Sequence, residues 1–192
     1  MKSTVARGEA KTPGAHGEPK ASIAYDEARR EVRRRVFEAI DAMYPDAAIA
    51  AAMRRYAWEG RIDLATEDLR KLQHSSGDAG TDIEWLVGRL RYVAARLEAG
   101  RLAWVDGRLA EADPLWREAF AAERTILPEG VTSVPVREAR RHLAQAWHRE
   151  GLRFEARDQV AAAVAAWKRG LKADPGDLDL RIALQRAAEA AR

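Results

Sequence analysis

Helical periodicity broken at short, regular intervals is the feature that most constrains this chain. Gly60, Ser75-Ser76-Gly77, Gly107, Pro128-Glu129-Gly130 and Asp174-Pro175-Gly176-Asp177 interrupt it, and Gly and Pro are the residues that end helices. The segments between predict helices at about 25–44, 46–58, 62–74, 82–104, 108–124, 136–155, 157–172 and 177–191. No alternating strand pattern separates them. Forty alanines stand against 18 Val and Ile, a balance that favours helix over strand. Helix following helix across short turns leaves an all-α bundle or a stacked helical array.

The segment 144–177 carries Trp147, Gly151, Phe154, Ala163, Trp167, Gly170 and Pro175. An aromatic, a Gly four later and an aromatic three beyond, then Ala, an aromatic four later and a closing Pro, match the tetratricopeptide pattern. This part of the chain resembles a tetratricopeptide (TPR) repeat. Upstream, Gly100, Gly107, Leu109, Ala112, Trp116 and Ala119 repeat the motif, and Tyr56, Gly60, Ile62, Ala65, Leu69 and Leu72 form a degenerate third copy. Ala65 lies 47 residues before Ala112, and Ala112 lies 51 before Ala163. A regular array repeats every ~34 residues, so the expected fold is an irregular TPR-like helical-repeat array, an α-α superhelix. Extra residues fall at 75–92 and 124–143.

The domain reading is therefore a disordered, flexible tail over 1–22, an N-terminal capping helix over 23–45 and a TPR-like domain over 46–192. The tail has too few large apolar groups to offset the entropy of ordering. In the capping helix Ala28, Val32, Val36, Ala39, Ile40 and Met43 form one apolar stripe. Its Arg29, Arg30, Arg33, Arg34 and Arg35 are matched by Asp26, Glu27, Glu31, Glu38 and Asp41, with one-turn pairs such as Asp26–Arg30 and Glu31–Arg35 supporting the helix.

Composition then excludes function classes. Without cysteine there is neither a disulfide nor a thiolate metal site. Charges interrupt every segment, so none approaches the ~18–20 apolar residues of a membrane span, and no membrane insertion is expected. The first residues lack the apolar centre of a signal peptide, which reads as a cytoplasmic protein. The phosphate-loop, zinc-protease, nucleophile-elbow and dinucleotide motifs are all missing. His142 and His148 are six apart, on different faces of a helix, and make poor joint metal ligands. The chain reads as a non-enzyme with no cofactor.

The TPR resemblance implies that the first helix of each pair lines a concave face. That places Arg54, Ala57 and Trp58 there in the first repeat, Leu97, Glu98, Arg101 and Trp104 in the second, and Gln145, His148, Arg149 and Leu152 in the third. The candidate partner-binding residues are Arg54, Trp58, Arg101, Trp104, His148 and Arg149. Arg54, Arg101 and Arg149 would hold an acidic or C-terminal peptide through guanidinium–carboxylate pairs, with Trp104 as an apolar contact. Trp58, surrounded by Arg54, Arg55, Glu59 and Arg61, reads as an exposed interface anchor, whereas Trp85, Trp116, Trp147 and Trp167 fall on apolar faces and read as core. The expected function is protein–protein interaction, as an adaptor, assembly factor or accessory subunit. The alternative is a nucleic-acid-associated or regulatory protein using Arg29, Arg30, Arg33, Arg34, Arg137, Arg140 and Arg141, although a net charge of +3 gives only a weak field.

Overall fold

The computed structural model describes residues 19–75 and 80–190, with side chains over 24–74 and 82–190. The described residues are helical throughout, joined by turns: α1 (Pro19–Met43), α2 (Ala47–Arg54) running into a π-helical turn (Arg55–Glu59), α3 (Ile62–Ser75), α4 (Gly80–Val105), α5 (Leu109–Glu123), α6 (Val134–Glu155), α7 (Val160–Ala173) and α8 (Leu178–Ala190). The tail read over 1–22 lies outside the described residues, except that 19–22 form the first turn of α1. The Ser76-Gly77 break is also outside them, between the last residue of α3 and the first of α4.

The chain divides into two compact units, Met1–Arg35 and Val36–Arg192, so the boundary falls within α1. In the first unit, Glu31 accepts from Arg34 at 2.8 and 2.9 Å and from Arg35 at 2.7 Å, which holds its carboxyl down at about 2. The apolar stripe expected along α1 is not buried here: Tyr25 is 68% exposed and Val32 51%. Burial begins in the second unit, where Val36 packs on the core and Ile40 lies within it, while Met43 at the helix end is exposed again.

Local chemistry sets the helix ends of the second unit. Asp46, after Pro45, accepts from the backbone of Ala48 and Ile49 at 2.8 and 3.0 Å and starts α2, as an aspartate N-cap does. Ser133 caps α6, with Pro135 in the first turn, where no amide donor is needed. Asp177 starts α8 through Leu180 N–H at 3.0 Å.

The helices then pair into hairpins, α2–α3, α4–α5 and α6–α7, followed by α8, making an all-α helical-repeat array. Two hairpins share one joint, 51 residues apart. In α4–α5 the indole of Trp116 lies on Gly100 and donates to Leu97 O at 3.0 Å; in α6–α7 Trp167 lies on Gly151 and donates to His148 O at 3.3 Å. A methyl group added at Gly100 would sit 2.4 Å from the Trp116 ring, and at Gly151 2.1 Å from the Trp167 ring. Only hydrogen fits at either place.

The turns repeat as well. Gly107 and Asp158 both have left-handed backbone, φ +76° and +57°, and the next residues, Arg108 and Gln159, share φ near −90° and ψ near 60°. Each then donates its N–H to the carbonyl five residues back, Ala103 at 2.8 Å and Phe154 at 3.0 Å. In α2–α3 the left-handed turn residue is Gly60, φ +73°. Counting back and forward from that turn, Met53 and Leu69 replace the Gly and the Trp, and both are fully buried.

The extra residues near 124–143 divide in two. Residues 134–143 simply lengthen α6, and the connection before them is tied into the core through buried Ile126 and Leu127. Tyr44 O–H donates to Ile126 O at 2.7 Å; burial pushes that phenol up to about 12. Glu123, 2% exposed, accepts at Oε1 from Tyr56 O–H at 2.7 Å, from Ser133 N–H at 3.3 Å and from Ser133 O–H. Nearby, Arg140 lays its guanidinium over the Phe120 ring at 4.9 Å.

Candidate functional site

Trp104 is the centre of the most developed site, because two helices of the second unit deliver aromatic and charged groups around it. The last turns of α4 present Leu97, Glu98, Arg101 and Trp104 at helical spacing; the first half of α6 presents Pro135, Glu138 and His142 opposite. The Trp104 ring stacks flat on the His142 imidazole, centroids 4.8 Å apart and planes 7° from parallel, and leans on Trp116 at 6.1 Å. The His142 stack and the tilted Trp116 contact hold the indole in place while leaving it half-buried.

Clefts open on either side of this ring. One, about 340 Å³, is lined by Ile62, Leu97, Pro135 and Ala139 with Glu98, Arg101 and Glu138 at its edge. The other, about 210 Å³, is bounded by Trp104, Leu109 and Ala146 with Arg149, Glu150 and Arg153. Apolar walls with polar edges suit a side chain that carries its own hydrogen-bonding backbone.

The candidate residues do not converge on one clamp. Arg101 faces the first cleft but donates two 2.7 Å bonds to Glu98 of its own helix, which pushes the Glu98 carboxyl down and the Arg101 guanidinium up. Arg149 borders the second cleft and has no ion pair among the described residues. Arg54 belongs elsewhere: it pairs with Asp41 at 3.1 Å and lies over the Phe37 ring at 5.4 Å. Trp58 stands edge-on to that same ring at 6.3 Å, so it is half-buried rather than exposed as expected. That ring belongs to α1, distant in the chain from the charged neighbours of Trp58. Ala57 is buried too. His148 lines a third cleft, between α6 and α8, with Leu152, Asp179, Ile182 and Arg186.

Trp85 corrects the expectation of a core tryptophan. It is 46% exposed on α4, with Arg89 lying over its ring at 5.7 Å, whereas Trp116, Trp147 and Trp167 are buried as expected. Among the arginines named for nucleic acid, Arg34 pairs with Glu31, and Arg140 has a buried Nε and covers Phe120; Arg137 and Arg141 are exposed.

His142 is the residue that sequence reasoning missed. Its value lies in the Trp104 ring 38 positions earlier, and the only signal in the chain is that His142 sits one helical turn after Glu138 and seven residues after Pro135, on the α6 face turned to α4. Among the described residues no three His, Asp or Glu side chains gather as a metal ion would need, and no helix is long and apolar enough to cross a membrane. No protein-family model matches the chain, and neither a curated protein nor a solved structure matches it.

Proposed function

We propose that this chain is a non-catalytic, TPR-like protein-interaction module that docks a segment of a partner protein at Trp104, and so acts as an adaptor, assembly factor or accessory subunit. The observation that carries this reading is the half-buried Trp104 indole, stacked on His142 between two open clefts. A rigid aromatic ring with one exposed edge is what interface anchors are made of, since it gains contact area on binding while losing little freedom. Arg149, which has no ion pair among the described residues, supplies a cationic edge for an acidic segment.

Affinity capture with the full tagged chain tests this, comparing the wild type with Trp104→Ala and with the exposed-edge variant Arg149→Glu, at low and high salt. A protein retained at high salt by the wild type and lost by at least about tenfold in Trp104→Ala is the expected outcome, as for an anchor worth 2 kcal/mol or more. Circular dichroism of each variant separates loss of binding from loss of fold. Equal retention of that protein by all three would overturn the site, and recovery of nucleic acid that salt releases would replace the reading with the arginine-based one.

A further inference from the structure

A groove larger than the two Trp104 clefts adjoins the second of them, where the Gly107–Glu111 segment of one hairpin faces the α6–α7 hairpin. It encloses about 720 Å³, within the range of ligand-holding clefts. Its floor is shallow because α7 places Ala162, Ala165 and Ala166 there, and its apolar wall is the edge of Trp147 and Phe154. Trp147 is fixed in place: its indole N–H donates to Asp113 of α5 at 3.1 Å.

The charges around the groove are unequal. Glu111 is held by Arg108, and Glu150 by Arg153 at 3.1 Å, so both carboxylates are already matched. The remaining lining cation is Arg169, whose guanidinium lies over the Trp147 ring at 4.9 Å and has no carboxylate partner among the described residues. The adjoining cleft shares Gly107, Leu109, Glu150 and Arg153 with this groove and adds Arg149, the second unmatched arginine. A cation laid on an aromatic face keeps its donor edge free for a second partner.

We infer that this groove binds an acidic peptide segment of a protein partner, with an aliphatic side chain over Ala162 and Ala165 and carboxylates at Arg169 and Arg149. A phosphate backbone fits less well, because an alanine floor gains contact only from an apolar group. The groove adjoins the second Trp104 cleft and shares its Arg149 edge, whereas Arg169 and the alanine floor belong to the groove alone, so variants at those positions test it apart from the Trp104 reading.

The test is selection of a random peptide library on the full immobilised chain at low salt, followed by anisotropy titration of a labelled selected peptide. Expected are sequences rich in Asp and Glu beside Leu, Ile or Val. Binding should fall at least about tenfold in Arg169→Glu, the loss typical of breaking a charge pair, and similarly in Ala165→Phe, which fills the floor from an exposed helix position. Trp85→Ala, on the exposed surface of α4 and away from both sites, should bind the peptide as the wild type does. The proposal is overturned by selected peptides without acidic residues, by acidic peptides indifferent to both groove variants, by enrichment of no sequence at all, or by a short DNA duplex that competes for the groove and is lost in Arg169→Glu while peptides are not bound.

Discussion

Hairpins α4–α5 and α6–α7 are held together from within, each by an indole seated on a glycine and bonded to the carbonyl three residues before it. Hairpin α2–α3 is held differently. At the equivalent places it has Met53 and Leu69, a larger residue opposite a smaller one, so the joint is filled without an indole bond. Arg55 of its π turn pairs with Asp68 of α3, and its buried polar tie reaches outside the hairpin, from Tyr56 in the π turn to Glu123 at the end of α5. The same architectural unit is thus closed by an indole joint in two copies and, in the third, by apolar packing and an ion pair of its own together with a buried tie to its neighbour. A degenerate repeat need not be a weak one if later parts of the chain supply what its own joint lacks.

The largest effect should come from filling the internal joints. Gly151→Ala and Gly100→Ala each force a methyl group into an indole ring and should lower unfolding free energy by about 3 kcal/mol, at the upper end of overpacking costs. Thermal or urea unfolding measures this. The comparison sharpens in the double variant Gly100→Ala with Trp116→Leu, which moves the joint toward the Met53 and Leu69 arrangement and should recover part of the loss. No recovery would mean that the α2–α3 solution depends on its π turn.

Breaking the external tie comes next. Tyr56→Phe should cost about 1–2 kcal/mol, since it strips a donor from a buried carboxylate, and hydrogen exchange should quicken in α2 and α3 more than in α6 and α7. The same site carries a pH dependence. Burial raises the Glu123 carboxyl above its ordinary value of 4.5, so between that value and its folded pKa the folded chain holds a proton that the unfolded chain has released. Its contribution to stability is full below pH 4.5 and declines as pH rises through the folded value. Urea unfolding across that window should show the decline in the wild type and a flatter profile in Glu123→Gln.

The smallest effect tests the repeated turn. Asp158 adopts the left-handed backbone that Gly107 takes without strain. Asp158→Gly should be neutral to stabilising by at most about 1 kcal/mol, and Gly107→Asp should destabilise by a similar amount; thermal melts of both variants check it.

Helix positions and the two Gly–Trp joints were legible in the chain because both depend on residues within one hairpin. Spacing of Gly100 to Trp116 and of Gly151 to Trp167 already places each pair across a single turn. What failed were readings that depend on a distant partner. The charged sequence neighbours of Trp58 predict an exposed ring, yet Phe37 of α1 stands edge-on to it. Trp85 lies on a locally apolar face and is nonetheless exposed at 46%. The proposed row of Arg54, Arg101 and Arg149 assumed equivalent surroundings in each repeat, but Asp41 and Glu98 claim the first two. In α1 the apolar period runs from Ala28 to Met43, while only its last turns reach a core.

The Glu123 cluster also bears on the order of assembly. Hairpin joints link residues 19 apart in the chain, a loop that closes on a short timescale, whereas Tyr56 and Glu123 are 67 apart and Tyr44 and Ile126 are 82 apart. Because distant closures lose more chain entropy before any contact rewards them, the hairpins form early and the carboxylate closes late. The folding barrier of this unit then lies in docking finished hairpins, and substitutions at Tyr56 will speed unfolding while leaving the folding rate almost unchanged.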